Sequence, residues 1–274
     1  MMKIDAHQHF WQYDPVRDSW IDDTMQVIRR DFMPADLQPL LEQHQLDGCV
    51  AVQADQSDAE SAFLLKNAAS YPFIKGVVGW VDLRAADIEM KLSAYSVHDK
   101  MKGFRHILQA EPQEFMRQPA FLNGISKLSS YNYTYDVLIY EHQLPAAYEL
   151  VRQFPDQPFV IDHIAKPKIG KGDMIAWKKQ IQAIASCDNV YCKISGMVTE
   201  ADHDLAYEIY QPYMETVTEA FGIKRIMYGS DWPVCLLAAS YAEAIAITEQ
   251  YFSSFSKDEQ ALFYGGNAVA FYQL

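Results

Sequence analysis

Short apolar segments alternate with longer amphipathic segments along the chain. The short segments are rich in β-branched and aromatic residues, which favour strands, and the longer ones carry apolar residues at helical spacing. This pattern predicts eight strands, at residues 3–9, 48–53, 75–82, 102–108, 133–140, 159–163, 190–195 and 225–230. It predicts helices between them at residues 34–44, 59–70, 84–95, 118–129, 145–154, 173–185, 202–221 and 241–252, and a closing helix near 267–272.

Eight alternating strands and helices are what a closed parallel barrel requires, because parallel neighbours need a crossover of a dozen or more residues. A doubly wound open sheet is the competing architecture. Polar residues at the predicted strand ends favour the barrel, because barrel enzymes build their sites on the rim formed by the carboxyl ends of the strands. These polar residues are His9, Gln53, Asp82, His106, Glu141, His142, His163, Ser195 and Asp231. No Pro/Gly/Ser-rich linker divides the chain, so we predict one α/β domain, a (β/α)₈ TIM barrel over residues 1–274.

The composition is that of a globular protein, with 50% hydrophobic and 22% charged residues. No apolar run approaches the roughly 20 residues that span a bilayer. Residues 1–7 bring acidic and imidazole groups where a signal peptide would have an apolar region, so we expect a cytoplasmic protein. The four cysteines are scattered, which favours reduced thiols over a disulfide framework: Cys49, Cys187, Cys192 and Cys235.

The net charge of −13 argues against nucleic acid or an anionic membrane as a partner, since both need a basic face. It does not fix the charge of a small-molecule substrate, because a site can be locally basic on an acidic protein. The sequence does not determine the oligomeric state, and a homo-oligomer is compatible with it.

His7 and His9 form the first candidate site. Residues two apart in a strand point to the same side, so the two imidazoles can share an ion or a substrate. The pattern is short, and two exposed or core histidines are the alternative.

Asp231 is the second candidate. It follows the apolar residues 225–227 and ends the eighth strand, which adjoins the first strand in a closed barrel. Asp231 can therefore reach the histidines as a metal ligand or as a general base for water. The alternative is a carboxylate that caps the next turn.

His163 is the third. It ends the apolar strand at 159–163, with Asp162 expected on the opposite face. A lone histidine at a strand end is more often structural, but His163 shares its rim with the other two candidates.

Together these motifs resemble the amidohydrolase superfamily, and in particular its amidohydrolase-2-like lactonase branch. The resemblance rests on Asp5-Ala6-His7-Gln8-His9, Ile161-Asp162-His163 and Gly229-Ser230-Asp231-Trp232-Pro233. It extends from about Lys3 to the closing Gly266-Asn267-Ala268, essentially the whole chain. Further segments are similar to lactonases that act on L-fuconolactone or L-rhamnonolactone: Lys102-Gly103-Phe104-Arg105-His106, His163-Ile164-Ala165-Lys166-Pro167 and Cys192-Lys193-Ile194-Ser195-Gly196.

The resemblance implies hydrolysis of a sugar-acid lactone. Asp231 would activate water, while His7, His9 and His163 would polarise the carbonyl directly or through a divalent ion. Two alternatives are left nearly equal. The site could hold one zinc-like ion on His7, His9 and Asp231, or it could work without a metal. A binuclear centre is not expected, because no strand-end lysine stands where a bridging ligand would be and Lys102 begins its strand.

We predict six substrate contacts at the same rim. Arg105, His106 and Lys166 would make it locally cationic, and the aromatic faces of two tryptophans would pack against sugar C–H groups. The full set is Trp11, Arg105, His106, His142, Lys166 and Trp232.

Two other functions are compatible with this chain. The same barrel could hold a metal-dependent decarboxylase of an unsaturated or aromatic acid, which loss of activity on chelation would favour. It could also be a non-catalytic carbohydrate-binding barrel, although retention of His7, His9 and Asp231 counts against this.

Overall fold

The computed structural model describes residues 2–201 and 206–274. Its eight strands form one parallel sheet in the order of the sequence: β1 Ile4–Gln8, β2 Gly48–Val52, β3 Ile74–Gly79, β4 Met101–His106, β5 Thr134–Val137, β6 Phe159–Ile161, β7 Val190–Ile194 and β8 Ile226–Tyr228. The helices are α1 Pro34–Gln43, α2 Asp58–Ser70, α3 Ile88–Tyr95, α4 Pro119–Leu128, α5 Leu144–Gln153, α6 Met174–Ala185, α7 Tyr207–Phe221, α8 Tyr241–Phe252, α9 Lys257–Ala261 and α10 Asn267–Tyr272. The predicted (β/α)₈ barrel is confirmed.

The seam between β1 and β8 closes the barrel. It is held by the amide of Asp231, which donates to the carbonyl of His7 at 2.8 Å, and by the amide of His9, which donates to the carbonyl of Trp232 at 2.7 Å. Asp231 follows β8 in the left-handed region, with φ of +57°. The seam therefore brings the two ends of the sequence together at the carboxyl ends of the strands.

Side-chain hydrogen bonds cap the starts of α2 and α8. The hydroxyl of Ser57 accepts from the amide of Glu60 at the start of α2, and Ser240 with Glu243 forms a capping box at the start of α8. The predicted helix at 202–221 begins outside the described residues, and α7 covers the rest of it.

Apolar side chains fill the barrel interior and the layer between strands and helices. The interior cluster includes Ile4, Val50, Val78 and Met227, and α10 adds Phe271 from the opposite end to the strand carboxyl termini. Among the described residues, no helix combines the length and apolar character needed to cross a membrane.

Candidate active site

His7 and His9 face each other at the seam. Their Nε2 atoms lie 3.2 Å apart, as alternation along a strand predicts. Nδ1 of His9 lies 2.8 Å from the carbonyl of Val52, to which it donates. A neutral His9 therefore has its lone pair on Nε2, the nitrogen that faces His7 and Asp231.

Asp231 lies among three imidazoles. One carboxylate oxygen, Oδ1, is 3.4 Å from Nε2 of His9, 3.7 Å from Nε2 of His163 and 3.9 Å from Nε2 of His7. Burial opposes ionisation of Asp231, but His163, His9 and His7 together hold its pKa below the usual range of an aspartate. Asp231 is therefore a carboxylate at neutral pH.

His163 does not continue β6. Four consecutive residues beyond the strand have positive φ: His163, Ile164, Ala165 and Lys166. For L-residues this left-handed conformation costs roughly 1–2 kcal/mol each. The expectation that Asp162 and His163 point to opposite faces of a strand is wrong, because this left-handed turn rotates His163 towards Asp231. The strain lies next to the predicted catalytic residues, and such conformations concentrate at functional sites.

The ring of His163 is held neutral at ordinary pH. Its Nδ1 is 2.9 Å from the hydroxyl of Ser195. Burial lowers the pKa of His163 to about 4, although Asp231 and Asp162 oppose the shift. Burial also lowers the pKa of His7, with further contributions from Lys193 and His163.

A cavity of about 310 Å³ opens above this cluster. Three of the predicted catalytic residues, His9, His163 and Asp231, line it, while His7 is fully buried just beneath. The volume is at the low end of the range for small-molecule sites.

Three of the six predicted substrate contacts line the cavity: Trp11, Arg105 and Lys166. The indole N–H of Trp11 donates to the carbonyl of Arg30 at 2.9 Å, which leaves its ring as the contact surface. The ammonium of Lys166 lies 3.7 Å from a carboxylate oxygen of Glu200.

The other three are outside the cavity lining. His106 stacks on Phe115 with ring centroids 4.7 Å apart, and its Nε2 is 3.2 Å from a carboxylate oxygen of Glu111. Trp232 packs edge-on against Phe32 with centroids 5.2 Å apart. Both rings point towards neighbouring side chains instead of the cavity, so their position at a strand end did not predict where the side chains point.

His142 lies elsewhere on the barrel. It is exposed and borders a separate cavity of about 280 Å³ beside α6, with Asp173 and Trp177. The turn at residues 141–143 carries it away from Asp231.

A buried ionic network beneath the cavity escaped sequence reasoning. The ammonium of Lys193 in β7 is 2.6 Å from Asp136 in β5 and 3.0 Å from Asp162. Arg105 adds an ion pair of 3.1 Å to Asp162. Burial opposes ionisation of Asp162, but Lys193, His7 and Arg105 hold its pKa well below the usual range.

One signal could have found this network. Lys193 is a single charge inside an apolar strand, and a fully buried lysine needs an ionic partner. Trp20, also missed, lies on the long segment after β1 and lines the cavity while 43% exposed.

Asp5, the first residue of the Asp-x-His-x-His motif, is structural. Its carboxylate accepts from the amide of Ser230 at 2.9 Å, the amide of His7 at 3.2 Å and the hydroxyl of Tyr241 at 3.1 Å. Burial raises the pKa of Asp5 to about 6, against these hydrogen bonds. Asp5 ties β1 to the loop that carries Asp231.

The donor atoms of His7, His9 and Asp231 fit one divalent ion. Ligand atoms at 2.0–2.2 Å from a tetrahedral zinc ion lie roughly 3.3–3.6 Å from each other, and the observed separations are 3.2, 3.4 and 3.9 Å. Asp162 Oδ1, 3.2 Å from Nδ1 of His7, can accept the ring proton when Nε2 binds the ion.

The fold and this cluster define a parallel (β/α)₈ barrel with an imidazole–carboxylate centre at the carboxyl ends of its strands. A family model described as amidohydrolase (Amidohydro_2) matches residues 4–274. The chain belongs to this family and is a hydrolase, as the sequence motifs predict.

Similar proteins cover the chain from end to end. The L-fucono-1,5-lactonase of Burkholderia multivorans is 37% identical, over 100% of this chain and 96% of that protein. The L-fucono-1,5-lactonase of Burkholderia ambifaria is 35% identical, over 99% and 96%. A crystal structure of an amidohydrolase from Burkholderia multivorans with bound zinc superposes with a TM-score of 0.96, at 37% identity and 100% coverage of both chains. The predicted resemblance to the lactonase branch is confirmed.

Proposed function

We propose that this enzyme hydrolyses the six-membered lactone ring of a sugar acid of the L-fucono-1,5-lactone class to the open aldonic acid. The observation that carries the proposal is the ionised Asp231 among three imidazoles on the floor of a small cavity with cationic side chains at its wall. The two lactonases at 37% and 35% identity support the substrate class.

Asp231 is the general base. Its carboxylate is buried, yet ionised, and it faces the cavity in which water and lactone would meet. A positioned base of this kind contributes about 10²- to 10⁴-fold to rate.

Arg105 and His163 stabilise the developing negative charge. The guanidinium of Arg105 lines the cavity and is anchored by Asp162. We assign the Ser195 hydroxyl as the donor to Nδ1 of His163, 2.9 Å away, so that the ring proton of neutral His163 is on Nε2, towards Asp231 and the cavity. Preorganised donors aimed at an oxyanion are among the largest contributions to catalysis.

Hydrolysis proceeds in two steps, addition of water and collapse of the tetrahedral intermediate. Water forms a C–O bond to the lactone carbonyl carbon, and its proton passes to Asp231. The tetrahedral oxyanion collapses, the bond from the carbonyl carbon to the ring oxygen breaks, and that oxygen takes the proton from Asp231. The product acid ionises near neutral pH and releases one proton per turnover.

A zinc ion on His7, His9 and Asp231 would polarise the carbonyl and lower the pKa of a bound water to about 7. The steps above use only the side chains of the chain. Enzyme freed of metal by chelation and enzyme reloaded with zinc, assayed side by side, decide whether the ion is required.

A pH-indicator assay over a panel of six- and five-membered aldonolactones tests the proposal. We expect proton release with a six-membered 6-deoxy lactone and its loss in Asp231→Asn, with an unchanged circular dichroism spectrum. Asp156→Asn, an exposed carboxylate on the α5–β6 loop, is the matched control and keeps full activity. Failure of the wild-type enzyme on every lactone, or CO₂ release from an aromatic acid instead, would overturn the proposal.

A further inference from the structure

We infer that Gln56 determines substrate specificity, because its side-chain carboxamide presents a fixed N–H donor to one ring hydroxyl of the lactone. Gln56 lies on the loop between β2 and α2 and lines the cavity. It belongs neither to the imidazole–carboxylate centre nor to the buried ionic network beneath it. This role rests on the proposed function, which it extends to a single substrate contact.

A backbone contact fixes the orientation of the Gln56 carboxamide. The amide of Ile107, directly after β4, donates to Oε1 of Gln56 at 2.8 Å. A backbone N–H can only donate, so the atom that it meets is the carbonyl oxygen and the other end of the carboxamide is the NH₂ group. Within the described part of the chain, this NH₂ group has no acceptor. Its N–H donors are therefore available to a ligand in the cavity that Gln56 lines.

The loop that carries Gln56 is held on both sides of this residue. Ala54, which also lines the cavity, donates through its amide to Oε1 of the buried Glu60 at 2.9 Å. The hydroxyl of Ser57 donates to Asp55 at 2.6 Å and accepts from the amide of Glu60 at 3.1 Å. Little ordering remains to be done when a ligand binds, because the loop and the carboxamide are already in place.

Gln109 on the same cavity wall differs from Gln56. The carbonyl oxygen of the Gln109 carboxamide has no hydrogen-bond partner among the described residues. A carboxamide without such a contact can rotate and present either its oxygen or its nitrogen, whereas Gln56 can present only its nitrogen. Gln56 therefore meets an oxygen of the substrate.

The order of the strands decides which part of the lactone Gln56 meets. In a barrel of eight strands in sequence order, β2 is opposite β6 and β4 is opposite β8. Gln56 connects the loops after β2 and β4, whereas His163 and Asp231 follow β6 and β8. A lactone with its carbonyl carbon at Asp231 therefore turns the far side of its ring towards Gln56. The hydroxyls of a six-membered lactone on that side are those on C3 and C4.

A fixed donor distinguishes lactones that carry a hydroxyl at the facing carbon from lactones that lack it. A site that hydrogen-bonds a substrate hydroxyl disfavours the analogue without it, because the donor is then left unpaired. We expect wild type to lose about tenfold in kcat/KM, mostly as a higher KM, when the hydroxyl on either C3 or C4 is removed.

Kinetics on the parent lactone and its 2-, 3- and 4-deoxy analogues test this role with Gln56→Met. The variant should accept the sensitive analogue and the parent equally, and it should keep the wild-type penalties at the other two carbons. Gln43→Met, at an exposed position at the end of α1, is the matched control and should keep the wild-type pattern at all three carbons. If Gln56 only ties the two loops together, Gln56→Met loses activity equally on all four lactones. That result, or a changed preference at C2 alone, overturns the inference.

Gln56→Glu separates the donor from the tie between the loops. A carboxylate still accepts from the amide of Ile107 but has no N–H to donate. A substrate hydroxyl can donate to this carboxylate, whereas fluorine in its place cannot. We expect the exchange of the recognised hydroxyl for fluorine to cost Gln56→Glu at least about tenfold more in kcat/KM than it costs wild type. An equal cost in both proteins would contradict a donor at this position.

Equilibrium binding gives the same comparison without turnover. Polyhydroxylated six-membered lactams, whose ring amide resists hydrolysis, are titrated by calorimetry into wild type, Gln56→Met and Gln43→Met. We expect removal of one hydroxyl, on C3 or C4, to weaken binding about tenfold in wild type and in Gln43→Met but not in Gln56→Met. This pattern in a protein that opens no lactone would refute the proposed function and support the contact. Lactone hydrolysis without the pattern would refute the contact alone, and neither hydrolysis nor binding would refute both.

Discussion

Gly196 and His163 are in direct contact, backbone against ring. A Cβ placed on Gly196 would lie 2.5 Å from Nδ1 of His163 and 3.2 Å from a carboxylate oxygen of Asp231. Gly196 also has a φ of +61°, a conformation that side chains disfavour. The loop after β7 can therefore come this close to His163 and Asp231 only with glycine at position 196.

Gly196→Ala should lower both stability and activity. We expect a loss of about 1–3 kcal/mol from the backbone conformation alone, and a lower kcat because His163 must move. Gly222→Ala is the control, since Gly222 has a φ of +68° but no atom within 4 Å of its added Cβ. The control should lose stability in a thermal melt and keep its kcat; equal kinetic damage in both variants would contradict the contact.

The pH dependence of kcat/KM should follow His163. In the proposed mechanism, protonation of His163 beside Asp231 would weaken this carboxylate as a base, so kcat/KM should rise as pH increases through the His163 pKa of about 4 and then level off. Asp231 is already ionised there, because its pKa is lower still. Initial rates in constant-ionic-strength buffers check this, and an acid limb near the ordinary histidine pKa would exclude the assignment.

Asp5→Asn should change stability in a pH-dependent way. The folded pKa of Asp5, about 6, is above its unfolded value, so its contribution to stability is present at low pH and is lost as pH rises through about 6. Wild type should therefore exceed Asp5→Asn by more near pH 4 than near pH 7. Denaturant titrations at the two pH values measure this, and a gap that widens with pH would reverse the sign.

Zinc should bind one ion per chain. Calorimetry on chelator-treated protein should give one site, and Asp231→Asn should weaken it by at least about tenfold, since even outer-shell changes cost 10- to 100-fold. His142→Gln should bind as wild type does, because His142 lies beside α6 on a separate cavity. Equal weakening in His142→Gln would mean that the ion binds elsewhere.

Trp20→Ala should act on substrate binding. Trp20 lines the cavity and meets Trp11 edge-on at 5.9 Å, which suits a ring that packs on a sugar face. We expect KM to rise about 2- to 10-fold, equivalent to 0.5–1.5 kcal/mol, with kcat retained. Val27→Ala, an exposed apolar residue on the same segment, is the control. A drop in kcat at constant KM would assign Trp20 another role.

The sequence revealed those parts of the site that follow a strand. His163 and Asp231 are polar residues directly after apolar runs, and parallel strands in a barrel bring such ends together. Trp232 and His106 satisfy the same rule, but their side chains turn to Phe32 and Phe115 instead. Position along a strand fixes where the backbone ends, whereas packing decides where the ring points.

The pairing of Lys193 with Asp136 could not be predicted without the structure of the closed barrel. Each stands inside an apolar strand, and pairing between them depends on inward direction and on register across β5, β6 and β7. The left-handed turn at His163 was equally hidden, because Ile164 and Ala165 carry no sequence signal for positive φ.

The seam between β1 and β8 has a consequence for dynamics. Among the described residues, two backbone-to-backbone hydrogen bonds cross it after β8, and the residues that donate them, His9 and Asp231, also line the cavity. A ligand that contacts both side chains would stabilise the seam at which the barrel closes. Ligand binding should therefore be detectable without an activity assay, as slower hydrogen exchange of these two amides. In the free enzyme, local opening of the barrel should occur first at this seam.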